Sequence, residues 1–108
     1  MKRGDLLIVV LSSDYGKPRP AVLVQSEALF EAESLLICPL TSDVATAGPF
    51  RMGLTPTAEN GLTAPSVVMT DKVTAVPRRR CRERIGQLTA SELQELDSSL
   101  MFVLGLGD

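Results

Sequence analysis

The sequence predicts a mainly β domain, a small barrel whose flank or open end is covered by one C-terminal helix. Three observations predict it. Short apolar runs rich in β-branched residues recur as far as Val76, separated by loops carrying Gly, Pro, Asn and Asp. A single stretch of helical period follows near the C-terminus, behind a capping signal. A chain of 108 residues is long enough for one core and too short for two, so residues 1–108 are expected to form one domain.

Residues 6–11 form a continuous apolar run, as a buried strand would, and Ser12-Ser13-Asp14-Tyr15-Gly16 ends it in a loop. Pro18 and Pro20 bracket Arg19. Each proline bars the residue before it from the α region, so Lys17 and Arg19 are held extended at the entrance to a strand over 21–25. Residues 26–33 carry helix formers and predict a short helical turn. The strand over 35–40 contains Pro39, which offers no N–H to a ladder and so points to an edge or a bulge. Thr41-Ser42-Asp43 closes that strand. A small-residue loop, a strand near 50–54, a loop marked by Pro56, Asn60-Gly61 and Pro65, and a strand from Ser66 follow. Residues 71–76 alternate polar with apolar, the period of a half-buried strand. Thr89-Ala90-Ser91-Glu92 is a capping box. Behind it Leu93, Leu96, Leu100 and Val103 share one helical face as core, and Gly105 and Gly107 end the helix. Met101 and Phe102 lie off that stripe, placed for a contact between two copies.

Composition narrows the function classes. With 44% hydrophobic and 22% charged residues the chain is an ordinary globular one, and with three Phe, one Tyr and no Trp its core is aliphatic and short of platforms for stacking bases. A net charge of -2 excludes a protein that coats nucleic acid non-specifically. Yet five of the 11 basic residues fall within 78–84, which points to one face built for an anion, either RNA phosphates or an acidic peptide tail. In an extended strand Arg78, Arg80 and Arg82 would share one side, and Arg79, Cys81 and Glu83 the other. Cys38 and Cys81, with no CxxC spacing and no His in the chain, support neither a zinc site nor a disulfide framework, and a reducing compartment fits best. Cys81 would have a depressed pKa among those arginines if exposed, but without a His or resolving Cys nearby it reads as an incidental thiol. The basic opening before the first apolar run is not expected to be a secretory signal, because the run is short, Asp5 interrupts the approach and no small-residue cleavage site follows. No run approaches the ~20 apolar residues of a membrane span.

Four segments occur in order: Arg3-Gly4-Asp5, Lys17-Pro18-Arg19-Pro20-Ala21-Val22-Leu23-Val24-Gln25, Pro39-Leu40-Thr41-Ser42 and Arg84-Ile85-Gly86-Gln87-Leu88. Together they resemble the MazF/PemK toxin family, over nearly the whole chain. The resemblance implies an SH3-like barrel of the CcdB/PemK kind that works as a homodimer in the cytoplasm. It implies sequence-selective cleavage of single-stranded RNA without metal or cofactor, and a cognate antitoxin that blocks the site, with an acidic C-terminal tail. It also implies that Arg19 and Thr41 are the catalytic pair. The chemistry is plausible in itself: attack by a ribose 2′-OH builds charge on the phosphoryl oxygens, which a guanidinium meets with two parallel hydrogen bonds and a hydroxyl with one more. An isolated Arg and Thr would read as a solvated charge and a strand-end cap, and the matched context makes them candidates.

Some family members carry an Arg and an Asp at the end of the strand that starts at Ser66. Here Asp71 matches the acid and Met69 stands at the Arg position, so Asp71 is a candidate catalytic residue whose role as base, positioning group or turn residue stays open. Lys17, Ser42, Lys72, Arg78, Arg80 and Arg82 are the candidate RNA contacts, and the short loop over 12–17 implies an open groove. Two rivals are weaker. A gyrase poison of the CcdB kind shares the barrel but carries a C-terminal Trp, and this chain has none. A peptide-binding SH3-like module needs an aromatic-lined groove.

Overall fold

The computed structural model describes residues 1–12 and 16–107. The loop over 12–17, expected to open the groove, has its middle at Ser13, Asp14 and Tyr15 outside the described residues. The elements are β1 (Asp5–Val10), β2 (Pro18–Leu23), β3 (Ser34–Thr41), β4 (Met52–Leu54), β5 (Ser66–Val68), β6 (Thr74–Pro77), β7 (Cys81–Gln87) and α1 (Ala90–Leu104). The strands run antiparallel in the order β4-β5-β3-β2-β1-β7, with β6 also on β3, and curl into a half-barrel with one C-terminal helix. The expected mainly β fold with a terminal helix is therefore the observed one.

β3 joins the two parts of the sheet. Its first half pairs with β6, from Ser34↔Pro77 to Ile37↔Thr74, and its end pairs with β5 at Leu40↔Val68 and Thr41↔Val67. Its other side pairs with β2 at Ala21↔Pro39, Val22↔Cys38 and Leu23↔Ile37. Of the edge or bulge expected at Pro39, the edge is not observed: Pro39 sits in a central strand, at the irregularity where the pairing of β3 shifts from β6 to β5. Its carbonyl accepts the Met69 amide at 2.9 Å, on the side of β5 and β6. The N and the carbonyl of one strand residue point the same way, so the missing N–H falls where the partner changes from β6 to β5 and no ladder bond is lost.

The alternation expected over 71–76 fails at its start. Thr70–Lys72 is a 3₁₀ turn and β6 begins only at Thr74, because tertiary bonds outweigh a short periodic signal. Arg78–Arg80 is a second 3₁₀ turn, so Arg78, Arg80 and Arg82 are not spaced along one strand face. The cause is tertiary: the Arg78 guanidinium donates to the carbonyls of Phe30 and Ala32, and its amide donates to the Glu33 carbonyl at 2.8 Å. By contrast, the helical turn expected within 26–33 is present as a 3₁₀ turn over Glu27–Leu29, capped by Ser26.

The sheet is buried on both faces, which is why β1 reads as an unbroken apolar run. Leu6, Val22, Cys38, Leu40, Val68, Leu96 and Leu100 belong to one cluster, under α1, and Leu7, Val9, Ala21, Leu23, Leu35, Ile37 and Val76 to the other. On α1, Leu96 and Leu100 are buried, Leu93 and Val103 half-buried, and Met101 and Phe102 exposed. Both bonds of the Thr89/Glu92 capping box form, at 3.1 and 2.9 Å. Gly105 ends the helix at φ +72°, with Leu106 donating to Met101 and Gly105 to Phe102 in a Schellman arrangement. Among the described residues no helix is long and apolar enough to cross a membrane.

The first and last of the four sequence segments meet in this scaffold. Arg3 pairs with Asp97 of α1 at 2.6 Å and donates to the Val24 carbonyl, while buried Asp5 pairs with Arg84 of β7 at 3.2 Å. Next to Arg84 in β7, Gly86 lies hard against the backbone of Glu59 and Asn60, leaving no room for a Cβ. Gly86→Ala should therefore destabilise the fold by on the order of 3 kcal/mol, read by urea denaturation, since backbone on both sides blocks relaxation. A loss under about 0.5 kcal/mol would show that the contact yields.

Candidate active site

The β2–β3 register brings two of the sequence-predicted residues together. Each observed pair sums to the same number, and carrying that register two residues on sets Arg19 opposite Thr41. Residues opposite each other in an antiparallel pair present their side chains on the same face, with Cβ atoms about 5 Å apart. Arg19 comes from the extended entrance of β2, where its neighbours Pro18 and Pro20 pair with Val10 and Ile8 of β1. Thr41 is the last residue of β3, and its Oγ1 accepts the Asp43 amide at 3.2 Å. With an acceptor site used in that turn, the Thr41 O–H remains available to donate. Both residues are half-buried.

Arg19 and Thr41 both line each of two adjoining open cavities. The first, of about 660 Å³, also takes in Ser12, Met69, Lys72, Thr74 and Arg80. Three cationic side chains line it and, among the described residues, no Asp or Glu does. The second, of about 570 Å³, takes in Lys17, Ser42, the loop residues 61–64 and Glu83. Buried Asn60 builds that loop: its Oδ1 accepts the amides of Thr57 and Leu62 and its Nδ2 donates to Thr55. A cleft with cations along one side and a polar, single-carboxylate pocket along the other suits a phosphodiester chain with its bases.

The comparisons with known proteins bear on this geometry. Residues 2–104 match the family described as PemK-like, MazF-like toxins of type II toxin-antitoxin systems. The chain belongs to the PemK/MazF toxin family. A Mycolicibacterium smegmatis protein described as a probable endoribonuclease MazF is 34% identical over 107 residues, covering 98% of each chain. A crystallised MazF of Deinococcus radiodurans superposes with a TM-score of 0.78 at 26% identity, covering 97% of this chain and 96% of that one. A mycobacterial endoribonuclease solved with its cognate antitoxin shares the fold, with a TM-score of 0.82 at 20% identity over 98% and 96% of the two chains.

The remaining PemK/MazF candidates distribute unevenly. Lys17 and Ser42 reach the second cavity, and Lys72 and Arg80 the first. Arg82 is exposed and lines neither, and Arg78 is held by the carbonyls of the 30–32 segment. Asp71 lines neither cavity. It is gripped side-on by Arg51, Nε to Oδ1 at 2.8 Å and Nη2 to Oδ2 at 3.0 Å, and Arg51 also donates to Thr46. The Arg51 hydrogen bonds hold the Asp71 carboxyl below the usual carboxylate range, so it is a poor proton acceptor. Sequence reasoning missed Arg51, Glu83 and residues 61–64, since nothing local marks a residue whose partner lies 20 or more positions away. Cys81 is partly buried, so the depression expected on exposure does not arise: burial pushes its thiol up, outweighing Arg78, while buried Cys38 is pushed up to about 12. Among the described residues no three Cys, Asp or Glu gather as metal ligands.

The Arg51–Asp71 pair sets a pH dependence. The native carboxyl titrates below its unfolded value near 4, so the pair's contribution is present above about pH 4 and is lost as pH falls through the lowered native value. At this exposure it amounts to at most about 1 kcal/mol. Arg51→Met should return the Asp71 carboxyl to the ordinary range, read by NMR titration; an unmoved titration would mean that Arg51 is not its partner in solution.

Proposed function

We propose that this PemK/MazF chain is a sequence-selective endoribonuclease toxin, which cuts single-stranded RNA in the cytoplasm without a metal and so inhibits translation and growth. Residues 1–108 act as one toxin domain. The observation that carries the reading is that Arg19 and Thr41, from different strands, share the walls of both cavities. In this reading a ribose 2′-OH attacks the adjacent phosphorus and leaves a cyclic phosphate and a free 5′-OH. Charge grows on the non-bridging oxygens, where the Arg19 guanidinium and the Thr41 O–H donate hydrogen bonds that strengthen toward the transition state. Lys17, Ser42 and Arg80 hold the strand on either side of that phosphate.

A cognate antitoxin would close the same site with an acidic segment, since a cleft that attracts phosphates attracts carboxylates equally. The relative solved with its antitoxin supports this partner. The working form is a homodimer, with exposed Met101 and Phe102 in the contact; Phe102 already stacks on Phe50 with ring centroids 6.3 Å apart. A gyrase poison is not favoured, because the curated relatives are described as endoribonucleases and the chain has no Trp.

The test is incubation of the purified chain with an RNA ladder in EDTA, followed by mapping of the ends. Cleavage leaving cyclic phosphates is expected, with Arg19→Ala slower by about 100- to 1,000-fold. Thr41→Ala should be slower by about tenfold or more, the value of one hydrogen bond to a charged group. Uncut RNA, or cutting untouched by Arg19→Ala, would refute the reading.

A further inference from the structure

We propose that Lys72 is the general acid of this cleavage, giving a proton from Nζ to the departing 5′-oxygen. The assignment rests on the ribonuclease reading above and adds to it the proton donor that Arg19 and Thr41 leave unnamed. A 5′-alkoxide is a poor leaving group, so the P–O5′ bond breaks readily only if the oxygen is protonated as it leaves. Of the two cavities that Arg19 and Thr41 line, the cationic one contains no carboxylic acid among the described residues, whereas the other contains Glu83, and the chain contains no histidine. The charged lining residues of the cationic cavity, among the described residues, are Arg19, Lys72 and Arg80. A guanidinium does not give up its proton in proteins, whereas an ammonium is ordinarily a stronger acid by about two orders of magnitude or more.

The 3₁₀ turn at Thr70–Lys72 sends three successive residues in three directions. Thr70 is buried and donates to Ser99 Oγ of α1 at 2.7 Å, because the Ser99 hydrogen goes to the Phe50 carbonyl. Asp71 is held in the Arg51 fork, away from both cavities. Lys72, whose amide closes the turn onto the Met69 carbonyl at 3.0 Å, enters the cavity alone of the three. Two anchored neighbours thus fix the turn from which Lys72 reaches in. Met69, on the same wall, brings no proton of its own.

The step balances with solvent. The 2′-oxygen forms its bond to phosphorus and its proton passes to water or hydroxide; the P–O5′ bond breaks as O5′ takes the Nζ proton; Lys72 then regains a proton from water, to which it is exposed.

The experiment uses two oligoribonucleotides of the mapped cleavage sequence, one with the natural scissile linkage and one with sulfur replacing the 5′-bridging oxygen. A thiolate leaves without protonation. Lys72→Ala should slow the oxygen substrate by about 100-fold or more and cleave the sulfur substrate within about threefold of the parent chain, both in single turnover. An equal loss on both substrates would reduce Lys72 to a phosphate contact and overturn the proposal, as would an undiminished rate on the oxygen substrate. Arg19→Ala separates this from the wider reading: it should be slow on both substrates, and if it is slow on neither, the wider reading fails and Lys72 with it, whereas an equal loss for Lys72→Ala alone overturns only the role of Lys72.

Discussion

The pairing of β2 with β3 is the constraint on which the site depends. Three observed pairs, Ala21↔Pro39, Val22↔Cys38 and Leu23↔Ile37, fix how far one strand lies along the other. That offset carries Arg19 to Thr41. A slip of one residue would turn every β3 side chain to the other face, moving Thr41 away from Arg19 and Cys38 out of its cluster. The register is therefore locked by the core: Val22 and Cys38 pack on the α1 side while Ala21, Leu23 and Ile37 pack on the opposite side. The geometry of the candidate site and the packing of the core are one requirement, seen at two ends of the same strands.

The four segments that mark the PemK/MazF family divide by task. Lys17 to Gln25 and Pro39 to Ser42 supply the cleft, while Arg3 to Asp5 and Arg84 to Leu88 tie the N-terminus, β7 and α1 together. Gly4, at φ +94°, lets its amide reach Leu23 at 2.8 Å and its carbonyl take Leu88 at 2.9 Å, which closes that tie across the end of β2. Half of an ordered motif can thus serve mainly to hold the scaffold, with Ile85 alone of those two segments reaching the wall of a cavity.

Much of the fold was legible in the sequence wherever the signal was local. The capping box at Thr89, the helix stop at Gly105, the proline-fixed entrance at Arg19 and the apolar run of β1 each follow from neighbouring residues. What was not legible came from partners far along the chain. Pro39 reads as an edge residue until β5 and β6 divide the side of β3 between them. Arg78 reads as part of a cationic stripe until its guanidinium meets the Phe30 and Ala32 carbonyls. Asp71 reads equally as a base, a positioning group or a turn residue until Arg51, 20 residues earlier, takes both its oxygens. The pair Arg19 and Thr41 was found through the family resemblance, and their approach rests on a register that no single segment encodes.

Because β3 pairs with β2, β5 and β6 at once, the strand that ends in Thr41 cannot loosen without opening the whole sheet. Chemistry and stability are welded at that point, and drift in the strand is punished twice. Freedom to vary is left to exposed residues outside the strands, such as Thr63 and Ala64 on the wall of the second cavity, whereas Gly61, with no room for a Cβ against the Ile85 backbone, and buried Leu62 are held. The wall of the cleft can thus be redrafted at such margins while the strand ends that present Arg19 and Thr41 stay unaltered.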